Sequence, residues 1–253
     1  MNLERLKDTA EHLLEQRHLP GLAVGVATSR GPVFSEGFGF ANVELGRRQD
    51  ASVRHRIGSL SKVMTALCVM SLIDEGRLSL DERVDRLLPE LSFHGYGETL
   101  TVGHLLAHLG GVGEAPNLET LPNVGKLLMS PERLPASMAE ICADGIEIEV
   151  APGSRWAYAN LGYGLLGAIA TRIDDEPLND VMKSRLFDPI GMCESDVLDH
   201  NHPSLAQGYA RRSGDQRTNV PVKEFLHIRG ESLRAAGGVQ APLRDLALFA
   251  SSM

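Results

Sequence analysis

The chain has 253 residues, 43% apolar and 23% charged, with 33 acidic against 25 basic side chains and a net charge of −8. That length accommodates one large domain or two small ones around a substantial core, and the composition is that of a soluble globular protein. The negative balance argues against nucleic acid or an anionic membrane surface as the main partner.

The first twenty residues carry Glu4, Arg5, Lys7, Asp8, Glu11, Glu15 and Arg17, which leaves no apolar stretch for a secretory leader. Leu3, Leu6, Ala10, Leu13 and Leu14 instead trace one face of an amphipathic helix. The chain reads as cytoplasmic, or periplasmic if its N-terminus was trimmed. Its longest uncharged, apolar-rich stretch, 161–170, is too short for a membrane span. Strands are expected at 22–28 and 33–41, joined by a turn at Ser29, Arg30 and Gly31. The Gly/Phe alternation from Glu36 to Phe40 suits a strand that other backbone crosses closely.

A polar loop then leads to Ile57, Gly58 and a helix whose stretch 63–73 contains only Thr65 and Ser71 as polar members. A helix apolar nearly all round is central and buried, and Gly76 is placed to end it in a left-handed cap. Asp81 is expected to cap a short helix carrying Val84, Leu87 and Leu88, stopped at Pro89. Thr101 caps another over 102–109, ended by Gly110 and Gly111. Further helices are expected at 131–143, 160–173 and 178–187, the last halted by Pro189. From Gly208 the pattern becomes strand-like, and Pro242 opens a final helix over 243–250. Two strands, a long helical insert and a return to mixed structure point to an α/β (α+β) fold. It has a sheet lobe and a helical lobe, with a cleft between them where sites tend to lie.

Cys68, Cys142 and Cys193 are odd in number and widely spaced, which suits reduced, mostly buried thiols. No Cys/His cluster has zinc spacing, so neither a metal nor a cofactor is expected. His200 and His202, flanking Asn201, read as surface residues.

The chemistry starts at Ser59, Leu60, Ser61 and Lys62. Positions i and i+3 share a helix face, so Lys62 can point back at the Ser59 hydroxyl. A desolvated amine is a usable base, and a serine can be activated that way without histidine. A Ser-x-x-Lys match nevertheless arises about once by chance in a chain this long, and a serine ahead of an apolar run is usually an N-cap. A second group raises the odds. Tyr158, Ala159 and Asn160 sit just before a helix, after a turn at Pro152 and Gly153. Asn160 can be an N-cap and Tyr158 a packing aromatic. A phenol and an amide beside a Ser/Lys pair are also what acyl transfer needs, the phenol to relay a proton and the amide to orient lysine and substrate.

Together these residues resemble the β-lactamase and penicillin-binding-protein superfamily of serine hydrolases. The likeness is to its class C-like branch of β-lactamases, carboxylesterases and D-amino-acid peptidases, in which Ser-x-x-Lys is followed by Tyr-x-Asn. Supporting phrases run in the family's order: Arg56 to Ser59, Gly76 to Asp81, Thr101 to His108, and Ala235 to Val239. The resemblance implies an antiparallel sheet flanked by helices plus an all-helical lobe within residues 1–253, with 1–58 and 206–253 forming the α/β lobe and 59–205 the helical one. It implies Ser59 as nucleophile, Lys62 and Tyr158 sharing the base and proton-return roles, and Asn160 holding Lys62 and the substrate. The backbone N–H of Ser59 would supply half an oxyanion hole.

Two departures accompany it. The family's third motif, Lys-Thr-Gly or His-x-Gly on an edge strand, has no counterpart after the last helix, so the C-terminal strands are expected to be missing. His108, Leu109 and Gly110 match only locally, between the first two motifs, and read as a helix cap. The implied substrates are a small-molecule ester, β-lactam or D-amino-acid amide, a short-acyl ester foremost. The alternative is a non-catalytic binding or regulatory module, against which the intact Ser59, Lys62, Tyr158 and Asn160 weigh. An α/β-hydrolase is excluded by the lack of a Gly-x-Ser-x-Gly elbow. Oligomeric state is not legible.

Overall fold

The computed structural model describes residues 2–112, 138, 142, 145–197, 202–212, 215–221 and 232–253. It opens with helix α1 (Leu3–Arg17), where the Asn2 side chain accepts from the Arg5 N–H at 3.1 Å and His18 closes the end in a left-handed conformation. The expected apolar face is only partly covered: Ala10 is buried while Leu13 is 39% exposed. Strands β1 (Gly21–Thr28) and β2 (Gly31–Asn42) form an antiparallel hairpin, and β3 (Arg47–Arg48) pairs with β2 to complete a three-stranded sheet. The close crossing expected of the Gly/Phe alternation is present. A Cβ on Gly37 would lie 2.4 Å from the Asp50 backbone nitrogen.

Strand β4 (Arg54–Arg56) leads through a 3₁₀ turn at Gly58–Leu60 into helix α2 (Ser61–Asp74). Lys62, Met64, Thr65, Cys68, Val69 and Leu72 are buried. Burial is not complete all round, because Val63 and Met70 are 41% and 37% exposed. Gly76, at φ +70°, ends the helix as expected; its N–H donates to Ile73 O and that of Arg77 to Leu72 O.

Helix α3 (Val84–Leu87) begins later than expected. Arg83, not Asp81, is its N-cap. Residues 82–84 are drawn into extended pairing with 100–102, through Val84 N–H to Leu100 O at 3.0 Å and Val102 N–H to Glu82 O at 3.1 Å, so no helix can start at Asp81. After β5 (Phe93–Gly95), helix α4 (Val102–Leu106) has the expected Thr101 cap. His104 completes a capping box by accepting the Thr101 N–H on Nδ1. The helix stops at Leu106 because His108 turns left-handed at φ +57°. The helix expected at 131–143 lies outside the described residues, apart from Met138 and Cys142.

Strand β6 (Ile146–Ile148) pairs with β5 in parallel. Helix α5 (Asn160–Asp174) is buried from Leu161 through Ala170. Helix α6 (Leu178–Met182) runs through a π turn at Lys183–Phe187 into a last turn, α7 (Asp188–Ile190). Pro189 therefore does not halt it; it sits in the first turn of α7. Strands β7 (Tyr209–Arg212) and β8 (Asp215–Pro221) form a hairpin, β9 (Gln240–Pro242) pairs antiparallel with β4, and helix α8 (Leu243–Ser252) packs on β1 and β2.

The architecture is thus mixed helix and sheet, as expected. One core gathers around α4 and α5, and a second around Met64, Cys68, Met182, Phe187 and Val239. Helix α2 contributes to both, which fixes its N-terminus relative to everything else. Among the described residues no helix is long and apolar enough to cross a membrane.

Candidate active site

Three segments meet at Ser59. The first is the turn from β4 into α2. Gly58 adopts φ +55°, a conformation a side chain resists, and this sharp turn leaves Ser59 exposed at the head of the buried helix. One turn on, Lys62 is 5% exposed, with Nζ 3.3 Å from Ser59 Oγ. The spacing thus does what the Ser-x-x-Lys pattern promised.

The second segment precedes α5. Pro152 and Gly153 form the expected turn, tied down by Gly153 N–H to Leu109 O at 2.8 Å. Tyr158 Oη is hydrogen-bonded to Ser59 Oγ at 2.8 Å. Asn160 is not the N-cap that its position suggested. That place belongs to Ala159, and Asn160, in the first turn of the helix, uses its Oδ1 to accept from Lys62 Nζ at 2.8 Å.

The third segment, Ala235 to Val239, is a strap across α2. The Ala236 carbonyl accepts from Lys62 Nζ at 2.5 Å and the Ala235 carbonyl from Thr65 Oγ1 at 2.7 Å. Ser61 Oγ accepts the Val239 N–H at 3.1 Å and donates to Gly58 O at 2.7 Å. Lys62 therefore reaches three acceptors from three segments of chain: Ser59 Oγ, Asn160 Oδ1 and Ala236 O. Its ammonium end also lies 4.8 Å from the centre of the Tyr158 ring and 5.8 Å from that of Tyr163.

Burial alone would push the Tyr158 phenol up, but hydrogen bonds with Lys62 and Ser59 and the charge of Lys62 outweigh it and hold the phenol below the usual tyrosine range. Tyr163 behaves oppositely, raised by burial and by Tyr158, with its hydroxyl donating to Leu106 O at 3.1 Å. A hydroxyl flanked by an amine and by a phenol that ionises more readily than usual has groups placed to receive its proton, which is the requirement for a serine nucleophile.

All four residues singled out in the sequence come together. Two contributors were missed. The Ala236 carbonyl is main chain and leaves no mark in a sequence, although the phrase Ala235 to Val239 did. His108, read as a cap, does occupy one, but its ring also lies 4.6 Å from that of Tyr158. Trp156 is 62% exposed, its ring edge-on to that of His108 with the centres 6.1 Å apart. Among the described residues no group of three or more His, Cys, Asp or Glu could hold a metal ion.

The chain as a whole is similar to known proteins. The chain is 30% identical over 218 residues to penicillin-binding protein 4 of Amycolatopsis lactamdurans, covering 85% of this chain and 55% of that protein. It is 24% identical over 204 residues to protein flp of Staphylococcus aureus (strain MRSA252), covering 79% of this chain and 39% of the relative. Among solved structures, the octameric penicillin-binding protein homologue from Pyrococcus abyssi superposes with a TM-score of 0.78 at 26% identity, over 99% of this chain and 56% of that one. The chain thus spans roughly 40–55% of the length of these two curated relatives. The model of the beta-lactamase family matches residues 6–253, and the chain belongs to that family.

Proposed function

We propose that this chain carries the nucleophilic centre of a serine hydrolase that works through an acyl-enzyme. The observation behind this reading is that Ser59 Oγ lies 2.8 Å from Tyr158 Oη and 3.3 Å from Lys62 Nζ at once. Family membership supports a hydrolase of the serine type. In the proposed reaction Ser59 Oγ bonds to the carbonyl carbon of an ester, β-lactam or amide while its proton passes to the Tyr158 oxygen, which reacts in its ionised, phenolate form. The hydrogen bonds with Lys62 and Ser59 and the charge of Lys62, which hold the phenol below the usual tyrosine range, favour that form. Collapse of the tetrahedral intermediate breaks the bond to the leaving group, which takes the proton from Tyr158, and water later hydrolyses the acyl-Ser59 ester by the same relay. Asn160 holds Lys62 and faces the acyl side of the substrate. The Ser59 N–H, in a first helical turn and so without an intrahelical acceptor, is one donor for the oxyanion.

The preferred substrate is a small-molecule ester with a short acyl group, with β-lactams and D-amino-acid amides next. The test is covalent labelling: a fluorescent penicillin and a fluorophosphonate are incubated with the protein and with Ser59→Ala, and adducts are read by intact mass. Label on the wild type alone is the expected result. A folded wild-type protein that takes no label on Ser59 returns the non-catalytic binding module as the better reading.

A further inference from the structure

The proposed reaction gives His108 no role. His108 ends α4 in a full Schellman arrangement: its N–H donates to Leu105 O at 3.2 Å and the Leu109 N–H to His104 O at 2.8 Å. Capping does not account for the choice of residue. His18 and Asp175 take the same left-handed conformation at their helix ends, and both are exposed. The His108 ring is instead inserted among three aromatic rings, 4.6 Å from Tyr158, 5.0 Å from Tyr163 and 6.1 Å from Trp156.

Its polar bonds bracket Tyr158. The His108 carbonyl accepts the Ala157 N–H at 2.9 Å, and its Nδ1 accepts the Ala159 N–H at 3.2 Å. The residues on either side of the phenol are thus pinned to one histidine, while the phenol itself reaches Ser59. Ala159 is the N-cap of α5 and no side chain within that helix caps it, so the bond to Nδ1 is an outside substitute for a capping box.

We infer that His108 is the positioning residue for Tyr158, acting in its neutral form with Nδ1 as acceptor, and that its protonation releases Tyr158 from Ser59. The tautomer follows from the contact: an N–H donor opposite Nδ1 requires the ring proton on Nε2, and an imidazolium would set two N–H groups against each other. The groups facing the ring are Lys62 from α2, Tyr163 from α5, and Trp156, Tyr158 and Ala159 N–H from the loop before it. Among these Lys62 carries the charge. Burial and that charge both hold His108 below the usual histidine range, so it stays neutral at physiological pH.

This inference rests on the reading of Tyr158 as a proton acceptor, and the test keeps the two apart. Two substitutions divide the functions of the ring. His108→Phe keeps an aromatic plane and loses the acceptor. His108→Asn tolerates the left-handed backbone, offers Oδ1 where Nδ1 stood, and does not titrate. Hydrolysis of a chromogenic short-acyl ester is followed against pH, together with the absorbance titration of the phenols, with Tyr158→Phe as the spectral blank.

In the wild type, one phenol should ionise below the other three, and kcat should fall on an acid limb below the usual histidine range. His108→Phe should lose on the order of 10² in kcat with KM little changed, because the reacting group is displaced while the binding surface is not. It should also return the low phenol to the ordinary range. His108→Asn should keep more of the rate, keep the low phenol and lose that acid limb. The inference is overturned if both variants retain the wild-type phenol titration and acid limb. The phenol titration needs no turnover, so it decides the role of His108 even where Ser59 takes no label and the hydrolase reading fails.

Discussion

Lys62 Nζ donates to Asn160 Oδ1 at 2.8 Å, joining the first turns of two helices that are 98 residues apart in the chain. The bond gives the buried amine a fixed direction, since its two other acceptors, Ser59 Oγ and Ala236 O, lie on different segments. Asn160→Ala should therefore reduce kcat/KM for a short-acyl ester by on the order of 10²-fold, the usual consequence of a misplaced reacting group. Lys62→Met should abolish acylation. It should also cost more stability, about 1–3 kcal/mol for each buried acceptor left without a donor. Steady-state kinetics and urea denaturation of both variants check this ordering. Wild-type kinetics in Asn160→Ala would show that the bond does not direct the amine.

Asp174 and Arg185 make a second junction, at the far end of the same helices. Arg185 grips the Asp174 carboxylate with two N–H groups, one from Nη2 at 2.6 Å, and its Nη1 reaches Ser71 of α2 at 3.0 Å and Glu75, the residue that caps α2, at 2.9 Å. That hydrogen bonding, helped by Arg77 and opposed by burial, holds Asp174 below the usual carboxylate range. A carboxylate depressed on folding contributes stability that is fully present above its unfolded pKa, and lost as pH falls through the folded value. Asp174→Asn should thus cost about 2 kcal/mol at neutral pH, and the gap to wild type should narrow only below about pH 4. Melting temperatures between neutral and acid pH read this directly. A gap that stays constant down to strongly acid pH contradicts the assignment.

Much of this arrangement was legible in the sequence, and the reasons differ by residue. Ser59 and Lys62 lie within one helical turn, so spacing alone carries their geometry. Gly37 declared a close backbone crossing through its missing side chain, and Gly76 a helix end. What escaped depends on partners distant in sequence. Asp81 has the chemistry of a cap, but residues 82–84 pair with 100–102 and move the helix start to Val84. Asn160 likewise has the chemistry of a cap, and a lysine 98 residues away claims its amide. The His108 backbone obeys a local capping rule while its ring serves a loop fifty residues on, and no local rule connects the two.

The three cysteines separate by environment. Cys68 and Cys142 are buried, and burial pushes both thiols up to about 12; Cys193 is exposed. Alkylation needs the thiolate and access to it. Iodoacetamide at mildly alkaline pH should therefore add one group to the native protein, on Cys193, and three after denaturation, as counted by intact mass. Rapid native labelling of Cys68 would mean that α2 opens readily, in conflict with its place in the core around Met182 and Phe187.

Gly37 sits where β2 passes under the loop that follows β3. A Cβ there would come within 2.4–2.5 Å of Asp50 N, Asp50 Cα and Gln49 C, all main-chain atoms with no rotamer to give. The loop is itself anchored, by Gln49 N–H to Gly39 O at 3.1 Å and by Gln49 Nε2 to His55 Nε2 at 2.9 Å. Relief must come from a shift of backbone, so Gly37→Ala should cost about 1–3 kcal/mol, as overpacking does. An alanine in an unstrained strand position would instead add a few tenths of a kcal/mol to about 1 kcal/mol by restricting the unfolded chain. The two effects have opposite signs, so the direction of the change decides between them. Urea denaturation of Gly37→Ala should show a lower midpoint with an unchanged slope, and a raised midpoint would show that the strand and loop part without cost.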